Sequence, residues 1–328
     1  MKAVYVNEFG GPENLEFRAV DDPPRPAGTE VLVRVKAAAL NRADLLQRRG
    51  LYPAPPGYPE RILGLEFAGE VAAVGDEVED FKTGDRVFGI TAGGAQAELL
   101  LTDASLLARI PENLDFIEAA AIPEAFITAH DAIFTLGRLA ATETLLIHAA
   151  GSGVGLAALQ LAKARGVRVL GTSRTADKLA EAAKFGLDAG ILAGGDANLA
   201  AAIKEKNDGR GVDVILDLVG AANFPANIES LNVKGRLILV GTPGGAKAEL
   251  NFGPVMAKRL TIVGTVLRSR PTPEKAAATR KFAEEVVPLL AAGRLKPNVD
   301  RVFKAADAHK AHEYLESNAS FGKVILEF

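Results

Sequence analysis

Between His148 and Arg174 the chain reads HAAGSGVGLAALQLAKARGVRVLGTSR, and Gly151, Gly153 and Gly155 fall within five residues of one another. An apolar run, TLLIHAA, precedes them, and a helical pattern follows, with Val154, Ala158, Leu161 and Ala162 on one face. Side chains at such a strand-to-helix turn would block access to the amide groups at the helix N-terminus, where the helix dipole also favours negative charge. Bare backbone there suits an anion. Gly151, Ser152, Gly153, Val154 and Gly155 are therefore read as the cradle for the pyrophosphate of a dinucleotide. The spacing departs from the usual G-x-G-x-x-G, because Leu156 stands where the third glycine would fall. The alternative is a glycine-rich connection that only lets helix and strand pack closely. A further strand, VRVLGT, completes a strand–helix–strand unit and favours the anion.

The end of that second strand bears on which dinucleotide binds. Units that bind NAD usually place an acid there to accept from the ribose 2′-hydroxyl, whereas a basic residue accommodates a 2′-phosphate. Here Ser173 and Arg174 stand in the acid's place, Lys178 follows a helical turn later, and Asp177 lies too far along. NADP(H) is the expected cofactor, against the alternative of a solvated helix start. Gly241 and Thr242 end the run RLILVG, at the carboxyl edge where ligands of open α/β sheets collect.

Other chemistries are excluded by residue type. The chain has no cysteine, which removes disulfides, thiolate nucleophiles and every cysteine-containing zinc site. Of the four histidines, His148 ends a strand, where packing or a backbone hydrogen bond is expected. His309 and His312, with Glu313 in HKAHE, read as an exposed polar helix face, so no metal is expected. A formal net charge of −3 gives no footprint for nucleic acid or an anionic membrane. No apolar run of about 18 residues could span a bilayer. The opening MKAVYVNEFGGPENL lacks the apolar core of a signal peptide, so a cytoplasmic location is expected.

These residues need positioning elements. The first part of the chain reads as short strands divided by Gly and Pro; in EVLVRVKA, Val31, Val33 and Val35 alternate with Leu32, Arg34 and Lys36. LEFAGEVAAVG, GDRVFG and GGAQAELLL read as further strands. After Asp115, Ala-rich helical segments alternate with apolar runs lacking period two: TLLIHAA, VRVLGT, AGIL, VDVILDLVG, GRLILVG and LTIVGTV. Strands buried on both faces have this texture, so an α/β architecture with a doubly wound parallel sheet of Rossmann type is expected, inserted in a β-rich domain. The expected divisions are 1–121, 122–266 and 267–328, the last returning to the first through FGKVILEF.

The stretches ALNRADLLQRRGLYPAPPG, ILGLEFAGEV, IPEAFITAHDAI, HAAGSGVGLAALQLAKARG, RLTIVGTVLRSR and FGKVILEF resemble, nearly end to end, the zinc-free quinone oxidoreductases of the medium-chain dehydrogenase/reductase superfamily. NRADLLQR with its following Tyr-Pro-rich loop is similar to the branch of tumour-suppressor-inducible NADPH:quinone reductases. The resemblance implies that residues 1–121 form a GroES-like catalytic domain and that NADPH reduces quinones without metal. An enal or enone double-bond reductase, or a low-turnover dinucleotide-binding protein, are the alternatives. Zinc-dependent relatives carry an early Cys and a Gly-His-Glu motif; Asn41 and Gly64-Leu65-Glu66 stand there instead, so Glu66 reads as a structural carboxylate.

By the same resemblance, the nicotinamide faces a pocket lined by Asn41 and Tyr52. Asn41 is read either as a donor to the substrate carbonyl or as the N-cap of a helix starting at Arg42. Tyr52 either stacks on a planar ring or braces the prolines. Thr128, the Leu267, Arg268 and Ser269 segment, and Phe321, Gly322 and Lys323 are implied to border the cofactor. Leu192-Ala193 replaces the Asn-Tyr pair that relatives often show on the adenosine side. Relatives join sheet edges across a homodimer, and GTPGGAKAELNFGPVMAKRLTIVGTV holds the expected edge.

Overall fold

The structure is a computed structural model that describes residues 1–194 and 198–328. In chain order, β1 (Lys2–Val6), β2 (Leu15–Ala19), β3 (Glu30–Ala39), α1 (Arg42–Arg48), β4 (Glu66–Val74), β5 (Arg86–Ile90), β6 (Leu99–Asp103) and β7 (Leu107–Arg109) come first. Helices α2 (Phe116–Ala120) and α3 (Pro123–His130) follow. Then come β8 (Thr144–Ile147), α4 (Gly153–Ala164), β9 (Arg168–Ser173), α5 (Ala176–Ala183), β10 (Ala189–Leu192), α6 (Leu199–Lys206), β11 (Val212–Asp217), α7 (Phe224–Ser230), β12 (Leu231–Leu239), α8 (Phe252–Lys258) and β13 (Thr261–Gly264). The chain ends with α9 (Thr272–Glu285), α10 (Val287–Ala291), β14 (Val299–Lys304), α11 (Ala308–Glu316) and β15 (Lys323–Glu327).

Contacts divide the chain into two units, Met1–Ile127 with Leu267–Phe328, and Thr128–Val266. In the first, a seven-stranded sheet runs β14-β15-β3-β4-β5-β7, with β6 also pairing β3, and β1-β2 form a separate hairpin. The period-two reading of β3 holds: Val31, Val33 and Val35 are buried in a core with Phe67, Val71 and Val87. Charged Arg34 points the other way, as a half-buried antiparallel strand requires. The final run FGKVILEF becomes β15, which pairs antiparallel with β3 and brings the C-terminus back to this unit. Its parallel neighbour β14, with exposed Asp300, Arg301 and Val302, has too little apolar patterning to be seen in the sequence.

The second unit is a six-stranded, all-parallel sheet in the order β10-β9-β8-β11-β12-β13. Counted from the first strand, this is the order 3-2-1-4-5-6 of doubly wound dinucleotide folds, whose switch point, where the strand order reverses, lies between β8 and β11. Leu145, Leu146, Ile147, Val214, Ile215 and Leu216 are wholly buried, which accounts for apolar runs without alternation. Strand β13 is an edge. Among the described residues, no helix is long and apolar enough to cross a membrane.

Candidate functional site

In the parallel unit, β8 stops at Ile147 and α4 starts at Gly153, so the glycine cluster forms the first strand-to-helix turn. Ser152 is the N-cap, its Oγ accepting from the Gly155 N–H at 3.1 Å. A Cβ on Gly155 would stand 2.6 Å from the Ala149 carbonyl oxygen, so only glycine lets α4 sit so close to the turn. Ala149 itself takes φ +53, a strained conformation for a residue with a side chain, and its carbonyl accepts from the Ser152 N–H at 2.9 Å. The first N–H groups of a helix have no intrahelical acceptor, so the turn suits a pyrophosphate.

Behind this turn lies a buried polar chain. His148 is wholly buried; its Nδ1 meets Thr172 Oγ1 at 2.9 Å and its Nε2 meets Asn227 Oδ1 at 2.6 Å. Asn227 Nδ2 donates to Asp217 Oδ2 at 2.9 Å, so its Oδ1 accepts and His148 Nε2 carries the proton. Asp217 Oδ1 in turn accepts from the Val219 and Gly220 N–H groups at 2.7 and 2.9 Å. Burial pushes the His148 pKa down and keeps the ring neutral. The chain ties together the carboxyl ends of β8, β9 and β11, where packing or a single backbone bond was expected for His148.

Ser173 ends β9 and is buried, its Oγ accepting from the Thr175 N–H at 3.3 Å, while Arg174 is exposed beyond it. Lys178 lies on the first turns of α5, partly buried, and Asp177 is exposed. Gly241 and Thr242 follow β12 at the carboxyl edge of the sheet. Thr128 is partly buried on α3, and Leu192 at the end of β10 is exposed.

The β-rich unit holds a second cluster. Asn41 immediately precedes α1, yet its side-chain amide does not cap the helix: Nδ2 donates to Glu66 Oε1 at 2.9 Å and Oδ1 accepts from Lys323 Nζ at 2.7 Å. The helix start is held instead by Asp44, whose Oδ2 accepts from the Asn41 N–H at 2.7 Å and whose Oδ1 accepts from the Gly64 N–H at 3.0 Å. Burial raises the Asp44 pKa to about 6, against the pull of those bonds. Gly64 has φ +104 and packs against the Gln96 amide, which explains the glycine of Gly64-Leu65-Glu66.

Glu66, on β4, is wholly buried, and both of its oxygens are used: Oε1 takes Lys323 at 2.6 Å together with Asn41, and Oε2 takes the Glu124 N–H at 2.8 Å. Lys323 spends its three donors on Glu66, Asn41 Oδ1 and the Leu40 carbonyl at 2.9 Å. Glu124 stands in the first turn of α3. Burial, the neighbouring Glu66 and the charge of Asp44 push its pKa up to about 8 against the opposing pull of Lys323 and Arg268. Neither Glu124 nor Asp44 was legible as part of a site. A hint existed in acids and a lysine set within otherwise apolar runs, LEFAGEV, IPEAFITA and FGKVILEF.

Arg268 is also consumed within this unit. It donates to the Ala92 carbonyl at 2.8 Å, the Tyr52 carbonyl at 3.2 Å and Gln47 Oε1 at 2.6 Å, and its guanidinium lies 4.8 Å from the Tyr52 ring centroid. Burial lifts the Tyr52 pKa, so the phenol remains a donor. Lys275 reaches Tyr58 Oη at 3.3 Å, giving the Tyr-Pro loop a second anchor. The charged ends of Arg268 and Lys323 thus hold Tyr52 and Asn41 from within the unit; Leu267 is buried beside Arg268, and Ser269 is exposed. Gly322 has φ +96 and sits against Asn298, whose Nδ2 donates to the Phe321 carbonyl at 2.7 Å.

His312 does not face solvent as its HKAHE context suggested. It is wholly buried on α11 with both ring nitrogens lacking a hydrogen-bond partner, and burial followed by the charge of Arg48 pushes its pKa down to about 3. The apolar residues Ala308, Ala311 and Leu315 share its face and carry it into the core.

Residues 27–112 match the family described as alcohol dehydrogenase GroES-like domain, and residues 153–284 match zinc-binding dehydrogenase. The quinone oxidoreductase of Rattus norvegicus is 35% identical over 331 residues, covering 99% of this chain and 97% of that one. That of Pseudomonas aeruginosa is 35% identical over 333 residues, covering 99% of each. The crystal structure of Escherichia coli quinone oxidoreductase complexed with NADPH superposes with a TM-score of 0.90 at 32% identity, covering all of both chains. The zinc of the second family description does not suit the residues present. Glu66 and Asn41 already bind an ammonium group, an amide is a poor substitute for thiolate or imidazole, and no group of three His, Cys, Asp or Glu among the described residues could hold a metal. With both family descriptions met in order and the likeness running the whole length of the chain, this protein belongs to the quinone oxidoreductases of the medium-chain dehydrogenase/reductase superfamily.

Proposed function

We propose that the protein reduces quinones with NADPH, without a metal. The observation that carries this reading is the joint likeness, in sequence and fold, to quinone oxidoreductases over the whole chain, one of them solved with NADPH. When bound, NADPH supplies hydride; quinones are electrophilic enough to accept it without a Lewis acid. Residues Gly151 to Gly155 hold the pyrophosphate, and Ser173, Arg174 and Lys178 take the 2′-phosphate. Thr128, Gly241, Thr242, Leu267, Ser269, Phe321 and Gly322 border the remaining cofactor. Asn41 and Tyr52 orient the acceptor, Tyr52 through its ring and hydroxyl, and Asn41 through an amide whose orientation Lys323 and Glu66 set and whose second N–H makes only a long contact, 3.5 Å, to the Ala39 carbonyl.

A homodimer forms along the edge strand β13, whose surroundings expose Phe252, Met256 and Val266. Purified protein mixed with NADPH and a panel of quinones and enals, followed at the absorbance of the reduced nicotinamide, tests the activity. Rapid consumption with quinones is expected. Consumption with enals alone assigns an enone reductase, and tight binding without turnover removes the enzymatic reading.

A further inference from the structure

Glu66 and Glu124 stand beside the Lys323 ammonium, and the ammonium is fully committed. Lys323 has no donor left for Glu124, because its three are spent on Glu66, Asn41 and Leu40. Glu124 is fixed against Glu66 by its own N–H, so the like charge cannot move away. Its carboxyl group makes no hydrogen bond among the described residues, and the residue as a whole is only partly buried. The helix dipole at the first turn of α3 favours the anion, while burial and Glu66 oppose it. A carboxyl group in that setting retains its proton at neutral pH and can exchange it.

We propose that Glu124 is the acid that protonates the reduced acceptor, two hydrogen bonds along from Asn41. This assignment rests on the quinone reading and on Asn41 lining the acceptor site. Hydride transfer reduces the quinone and leaves an oxygen anion on it; the Glu124 O–H bond breaks, a new O–H bond forms on that oxygen, and the carboxylate is re-protonated from water. The other charged and titratable groups facing Glu124 are Glu66, Asp44, Lys323, Arg268 and Tyr52, all within the same unit. Glu66 is held through both oxygens by Lys323, Asn41 and the Glu124 N–H, and Asp44 is bound by two backbone N–H groups.

The sign of the pH dependence follows. Glu124 titrates near 8, so the acid form is available below that pH and is lost as pH rises through it. The test is kcat with a quinone across pH 6 to 10 for the wild type, Glu124→Gln and Glu124→Asp, together with infrared difference spectra of the cofactor-free proteins between neutral and alkaline pH. The wild type is expected to lose activity above about pH 8; Glu124→Gln should fall on the order of 100-fold and lose that limb, as removal of a general acid does. Glu124→Asp keeps a titrating limb at reduced kcat. The protonated-carboxyl band that bleaches on alkalisation should be missing from Glu124→Gln. A Glu124→Gln enzyme with wild-type kcat and an unchanged alkaline limb overturns the assignment, as does a band that survives the substitution. A wild type that binds NADPH but consumes none with any quinone overturns the quinone reading, and this assignment with it.

Discussion

Replacing Lys323 by Met removes the cation bonded to Glu66 while keeping most of the volume of the side chain. Glu66 is 0% exposed and Lys323 only 7%, so the substitution leaves a buried carboxylate facing an apolar thioether. It also strips the Leu40 carbonyl and Asn41 Oδ1 of their donor. Breaking one side of a buried ion pair costs about 3–5 kcal/mol. For a unit of roughly 190 residues, that corresponds to a fall in Tm of roughly 6–20 °C. The double variant Glu66→Gln with Lys323→Met removes both charges and should recover more than half of the loss, since a buried pair replaced as a whole is often close to neutral. Calorimetry of the two single variants and the double variant gives the coupling directly. A Lys323→Met protein less than about 1 kcal/mol below the wild type, with no recovery in the double variant, would show that the ammonium is not the cation on which Glu66 depends.

Changing Arg174 and Lys178 to Ala together should weaken NADPH on the order of 10- to 100-fold while leaving NADH almost unaffected; titration of both by fluorescence checks this, and equal losses remove the 2′-phosphate site. His312 titrates near 3 in the folded chain and near 6.5 unfolded, so the unfolded state binds its proton first and stability falls as pH drops below 6.5. Urea unfolding at pH 5 and 7.5 should show His312→Leu sparing about 2 kcal/mol of that fall; the same acid sensitivity in the variant contradicts the burial argument. Light scattering should give a dimer for the wild type and a monomer for the pair Phe252→Glu and Met256→Glu, and a monomeric wild type removes the proposed interface.

What was legible in the sequence was whatever repeats over short distances. Alternation in Val31, Val33 and Val35 marked a half-buried strand, unbroken apolar runs marked strands covered on both faces, and three glycines before a helical pattern marked a turn that admits an anion. Each of those signals is local, because a strand or helix buries one face at the period of its own backbone. Asn41 was legible as the residue before a helix, but not its amide's true engagement. Lys323 lies 282 positions from Asn41, and it meets Asn41 and Glu66 only because β15 pairs with β3 and β3 with β4. A charge in an apolar run states that something must pair with it, since an unpaired buried charge is too costly. Which partner answers, and which carboxyl group is left holding its proton, depends on distances of a few ångströms that only the assembled sheet decides.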